Sequence, residues 1–133
     1  MTDTAATTLI HAQVPLCATL GITADTFRPD EVVLSLDWAP NLCTGNDVLH
    51  GGIVMALADS AGGVCAFLNL PEGAGGTATI ESKTNFLVAT RGGTVKAQSR
   101  PLHVGKRVIV LETEVRGDDG KLAAKVLQTQ AIL

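Results

Sequence analysis

The chain has 133 residues, enough for one domain with a real core and too few for two comfortable ones. It carries 46% apolar and 17% charged residues and a formal charge of −3, with no basic run interleaved with aromatics, so nothing in it attracts nucleic acid in general. The low charge content points instead to surface covered by other subunits.

Cys17, Cys43 and Cys65 are odd in number, far apart and without metal-ligand spacing, so reduced thiols are expected, with no metal and no cofactor. The start MTDTAATTLIHAQ lacks a basic stretch followed by an apolar one. No uninterrupted apolar run approaches about 18 residues. A soluble, cytoplasmic protein without a membrane partner is the expectation.

In chain order, residues 1–6 are small and polar enough to lack fixed structure, and 9–16 suggest a short helix ending near Pro15. From 31 to 38, Val32, Leu34, Leu36 and Trp38 alternate with mostly polar residues, the period of a half-buried strand. Residues 40–49 read as a loop rich in Asn, Gly and Asp. It delivers the chain to a helix from about Gly51 to Asn69, ahead of Pro71. After the flexible PEGAGG, extended segments are expected at 77–88, 94–103, 106–116 and 121–132, joined by turn sequences that include Asp119-Gly120. One apolar helix followed by a meander of four long strands predicts an α+β domain spanning 1–133, in which a curved, largely antiparallel sheet buries the helix.

The central helix holds the chemistry. LHGGIVMALADSAGGVCAFL is uncharged and mostly apolar apart from Asp59, and a carboxylate in such a setting is costly unless paired or put to use. Gly51 and Gly52 open the helix, where free backbone N–H groups and the positive dipole end favour an anion or a polarised carbonyl. The two features are eight residues apart, or roughly 12 Å along one helix. One helix cannot bring both to a single carbonyl, whereas two antiparallel helices across a two-fold axis could.

These residues resemble the hotdog-fold acyl-CoA thioesterases of the PaaI type. The likeness runs through Leu20-Gly21-Ile22, then His50-Gly51-Gly52 with Asp59 nine residues after the histidine. It continues through the segment from Thr79 to Leu87, Gly105-Lys106-Arg107 and Asp119-Gly120-Lys121-Leu122. The resemblance implies a helix wrapped by a sheet, dimers joined edge to edge and often paired into tetramers, and hydrolysis of an acyl-CoA thioester to a free acid and coenzyme A.

Carried over, Asp59 matches the catalytic carboxylate, as nucleophile or as the base that activates water. Gly51 matches the backbone amide that polarises the thioester carbonyl, and Gly52 adjoins it. Thr79 matches the Ser or Thr that holds the water, and His50 matches a loop-orienting histidine. Many relatives carry Asn or Gln where this chain has Thr44, so either Asn41 or Asn46 takes over the role or the role is absent. Arg91, Lys106 and Arg107 are candidates for the coenzyme A phosphates. The competing readings are a hotdog dehydratase or hydratase and a non-catalytic acyl-CoA binding protein. The acyl group stays open among aryl, short and medium chains.

Overall fold

A computed structural model describes residues 1–133. Order begins earlier than composition suggests. The Asp3 carboxylate accepts the Ala6 N–H at 2.9 Å and caps helix α1, Thr4–Gln13, whose Ala6 and Ile10 are buried. One capping carboxylate and two core contacts account for a helix where an unstructured start was expected from residues 1–6. Helix α2, Pro15–Leu20, carries proline in its first turn and ends on Gly21, whose φ of 68° is the left-handed geometry that glycine adopts freely at helix ends.

Strand β1, Thr23–Arg28, has no counterpart in the sequence reading, because TADTFR lacks a clean apolar alternation. It is an edge strand held by antiparallel pairing with β2, Glu31–Asp37. Next come the central helix α3, Gly51–Leu68, and strands β3, Thr77–Phe86, β4, Thr94–Val104, β5, Val108–Arg116, and β6, Leu122–Ile132. The bounds of these elements fall close to those expected.

Their order does not follow a four-strand meander. The sheet runs β1-β2-β4-β5-β6-β3, with every pairing antiparallel. Only β4, β5 and β6 form a meander. The inner edge of β4 is taken by β2, whose Val32, Leu34 and Leu36 are all buried, and β3 pairs instead with the far side of β6. The Arg91-Gly92-Gly93 joint is therefore a crossing connection and not a hairpin. It is tied down where the Leu87 and Val88 N–H groups reach the Ala123 carbonyl and the Leu49 N–H reaches the Thr90 carbonyl.

The sheet covers one side of α3. Val54, Leu57, Ala58, Ala61, Gly62, Cys65 and Ala66, at helical spacing, are buried against it. From the sheet come alternating residues such as Ile109, Leu111 and Val115 of β5. Met55, Asp59 and Phe67 lie on the other side and are open in the single chain. The helix has the length and mean hydropathy (1.6) of a membrane span, although Asp59 and Ser60 interrupt its apolar run. Its sheet-facing stripe nonetheless packs as the centre of a layered domain. Cys17 and Cys65 are buried in that core and Cys43 is half-buried; all three are free thiols.

The outer sheet face is polar and neutralises itself. Glu31 accepts from Gln98 and Arg100, Glu114 pairs with Arg116 and Lys125, and Asp25 holds Ser35 and Lys96. Apolar surface is left elsewhere, on the open side of α3 and along β3, where Ile80 and Phe86 are exposed.

Candidate active site

Asp59 stands on the third turn of α3, at the border between the buried stripe and the open face. Its Oδ1 accepts a 2.6 Å hydrogen bond from Nε2 of Gln128 on β6. Burial against apolar neighbours pushes the Asp59 carboxyl above its ordinary value, and the Gln128 hydrogen bond pulls it part of the way back. The residue as a whole is nevertheless open to solvent in the single chain. It lies at a rim and is not enclosed as the sequence suggested, because α3 is covered by the sheet on one side only.

Beside it is a cavity of about 430 Å³. Asp59, Ser60 and Gly63 line one wall with Val64 and Phe67. Helix α1 contributes Leu9, Ile10 and Gln13 and the α1–α2 junction contributes Val14, and Phe27, Thr77, Thr79 and Gln130 complete it. An apolar chamber with a carboxylate and a few polar groups at one end is the usual construction of a small-molecule site.

Thr79 belongs to this cluster. Its Oγ1 accepts a 2.7 Å hydrogen bond from Gln130 Nε2, and its strand carries a bulge between Thr79 and Glu81 that re-aims the side chains there. Two glutamines two residues apart on one strand thus hold two candidate site residues from two other elements.

The other candidates gather around the start of α3. His50 is the N-cap, and its Nδ1 accepts the Gly52 N–H at 2.8 Å, so that amide is already committed and His50 serves the helix start. A Cβ on Gly52 would come within 2.9 Å of the same ring nitrogen. Gly51, at the first helical position, has no acceptor among the loop and cap bonds and is the free donor of the pair. The Phe86 ring packs against it, with ring carbons 3.2 Å from where a Cβ would lie.

Asn46 is exposed in the preceding loop with φ of 61°, and Asn41 and Thr44 are exposed in the same loop. This loop accompanies Gly51 and does not reach Asp59. Arg91 lies at the same end, in the crossing connection. Lys106 and Arg107 form the exposed β4–β5 turn at the opposite end of the sheet. There Val108 pairs with Ala131 and Ile109 with Gln130, the partner of Thr79. The chain therefore divides its candidates into an Asp59–Thr79 cluster and a His50–Gly51 cluster, separated along α3.

A model of the thioesterase superfamily matches residues 46–124, more than half of the chain and inclusive of both clusters. The chain belongs to that superfamily. A candidate esterase of Saccharolobus solfataricus is 35% identical over 101 residues, 76% of this chain and 71% of its own. The 1,4-dihydroxy-2-naphthoyl-CoA hydrolase of Escherichia coli is 35% identical over 86 residues, 65% of this chain and 62% of its own. Among solved structures, a thioesterase family protein from Silicibacter pomeroyi superposes with a TM-score of 0.86 at 31% identity, covering 92% of both chains. A Pseudomonas aeruginosa thioesterase bearing a Gln-to-Ala substitution superposes with a TM-score of 0.88 at 26% identity, covering 96% of this chain and 93% of that one. The fold is the hotdog fold, with one long helix on a six-stranded antiparallel sheet, and the protein is a thioester hydrolase.

Sequence reasoning passed over Gln128 and Gln130 in this thioesterase. The matched segment ends at residue 124, and glutamine near the end of a strand reads as an exposed polar residue. A signal was there all the same: Ala124, Val126, Gln128 and Gln130 share one parity along β6, so the alternation that buries the first two buries both amides.

Proposed function

We propose that this thioesterase hydrolyses an acyl-CoA whose acyl group has an apolar body, with Asp59 as nucleophile or general base and the Gly51 amide polarising the thioester carbonyl. One observation carries the reading: a carboxylate held at the mouth of an apolar chamber of about 430 Å³. The chamber's volume suits a medium-chain or aryl group. The naphthoyl-CoA hydrolase among the relatives is consistent with the aryl option.

In the nucleophilic route an Asp59 carboxylate oxygen bonds to the thioester carbon and the C–S bond breaks to release the coenzyme A thiolate. Water then cleaves the acyl–aspartyl anhydride to the free acid and regenerates the carboxylate. In the general-base route Asp59 takes a proton from water as the water oxygen adds to the same carbon; the C–S bond then breaks and Asp59 returns that proton to the sulfur, which leaves as the coenzyme A thiol. Both need Asp59 ionised and a donor at the carbonyl oxygen where negative charge develops.

The donor and the carboxylate come from different copies of the chain in this reading. Its support is their separation of roughly 12 Å on one helix. Further support lies in the free edge of β3, with exposed Ile80 and Phe86, and in the open face of α3. An unpaired strand edge is a template for a second strand, so a homodimer through β3, alone or as half of a tetramer, completes the site. Lys106 and Arg107 stand on the turn leading into Ile109, which pairs with Gln130, the partner of Thr79, and are assigned to the coenzyme phosphates; a cytoplasmic location suits that substrate.

The test is thiol release from a panel of aryl, short-chain and medium-chain acyl-CoA esters by the wild type and by Asp59→Asn. Turnover of a medium-chain or aryl ester that is lost in the variant is the expected result. Equal turnover by both overturns the assignment of Asp59, and turnover of short chains alone overturns the assignment of the chamber.

A further inference from the structure

Gln128 is out of place as a core residue. It is fully buried on β6, between Leu111 of β5 on one side and Ser82 of β3 on the other, where an apolar side chain of the same length would pack without a desolvation cost. Only half of its amide is satisfied. Nε2 donates to Asp59, while Oε1 has no partner. That oxygen is directed at the backbone of α3, and a Cβ built on Gly62 would come within 1.8 Å of it. Gly62 is buried in the middle of a helix, where glycine is less favourable than alanine. The chain thus accepts an unfavourable helix residue and an unpartnered buried carbonyl, and both serve to seat one amide against one carboxylate.

We propose that Gln128 is a positioning residue for Asp59, seated by the missing side chain of Gly62: it fixes one carboxylate oxygen, so that the other is turned to the reacting carbon. The proposal rests on the reading of Asp59 as the reactive carboxylate. With Nε2 toward Oδ1 the amide favours the ionised form, the form that attacks or takes a proton, and it counters the effect of burial. The reversed amide would set a carbonyl oxygen against the carboxylate and favour the protonated, inactive form. In this orientation the glutamine therefore favours the ionised carboxylate as well as one of its rotamers. Gln13, Ser60, Thr77, Thr79 and Gln130 are the other polar side chains of the cavity that Asp59 borders, and none of them is hydrogen-bonded to its carboxylate.

The experiment is the pH profile of kcat/KM for acyl-CoA hydrolysis, with kcat and KM resolved, in the wild type, Gln128→Met, Gly62→Ala and Asp59→Asn. Methionine keeps the length of the side chain and removes the donor. Gln128→Met is expected to move the acid limb upward by about one pH unit, the size of one hydrogen bond to a charged group. It should lower kcat about tenfold near that limb and leave KM within about twofold. Gly62→Ala touches neither partner chemically, yet it displaces the amide, and it should move the limb in the same direction. It decides the matter alone if Gln128→Met does not fold.

If Asp59→Asn is inactive while both other variants overlay the wild-type profile, the positioning role is wrong and the reading of Asp59 stands. If Asp59→Asn retains its activity, the reading of Asp59 itself fails. A drop in activity with no movement of the limb assigns Gln128 to packing and overturns the proposal.

Discussion

Asp59 carries opposite consequences for stability and for catalysis. Its carboxyl is raised above the ordinary value by burial, so the folded state favours the protonated form relative to the unfolded chain. Stability from this residue is complete at pH below the ordinary carboxylate value and declines as pH rises toward the raised value in the folded protein. Asp59→Asn removes the charge and keeps the shape, so the variant should be at least as stable as the parent at neutral pH. The difference should shrink as the pH is lowered through the carboxylate range; thermal unfolding followed from pH 3.5 to 7.5 measures it. An advantage for the variant that grew at low pH would contradict the burial argument. Activity should move the other way, with kcat lower by about 10² or more, the scale of a lost general base.

At the scale of elements, the start of α3 is a separate device from its middle. His50 closes the first turn through the Gly52 N–H, and the cap makes no contact with Asp59. His50→Ala should cost about 1 kcal/mol of stability and His50→Asn much less, since asparagine is a good cap; the shift in urea midpoint distinguishes them. The β4–β5 turn offers a different check. Replacing Lys106 and Arg107 with alanine should raise KM several-fold and flatten its dependence on salt, with kcat nearly unchanged, which steady-state kinetics at two ionic strengths would read.

The elements were largely legible in the sequence where periodicity is strong. The strand with alternating Val32, Leu34 and Leu36, the apolar helix with its one acid, and all four later strands fall within two residues of their expected starts and ends. Pairing was not legible. Alternation says which face of a strand is buried and is silent on its neighbour, so β3 was assigned to a meander when its partner is β6. The polar β1 escaped because an edge strand with little buried surface needs little pattern. At the site, Asp59 and Gly51 were legible because an acid in an apolar helix and a glycine pair at a helix start are local oddities. Gln128 was not, because its oddity exists only once β6 is laid against α3.

For the whole molecule, the two clusters of one chain are each half of a site in the proposed reading, and that arithmetic can be tested by mixing. Asp59→Asn removes the carboxylate and keeps the amide donor. Gly51→Pro removes the donor and keeps the carboxylate; proline is well accepted at the first helical position, whose N–H is unpaired within the helix, and His50 already has the extended ψ of 133° that a residue before proline prefers. The Phe86 ring must shift by a few tenths of an ångström to admit the ring of proline, since its carbons lie 3.2 Å from a Cβ at that position. Each variant alone should be nearly inactive. Unfolded together and refolded at equal concentration, they form mixed dimers as about half of the population. Each mixed dimer has one site built from Asp59 of one chain and Gly51 of the other, so about a quarter of all sites regain both groups. Recovery of roughly that fraction of wild-type kcat, with KM unchanged, is the expected outcome. A site contained within one chain could not be restored by any mixture, so refolded mixtures no more active than the separate variants would show that Asp59 and Gly51 do not meet across two chains.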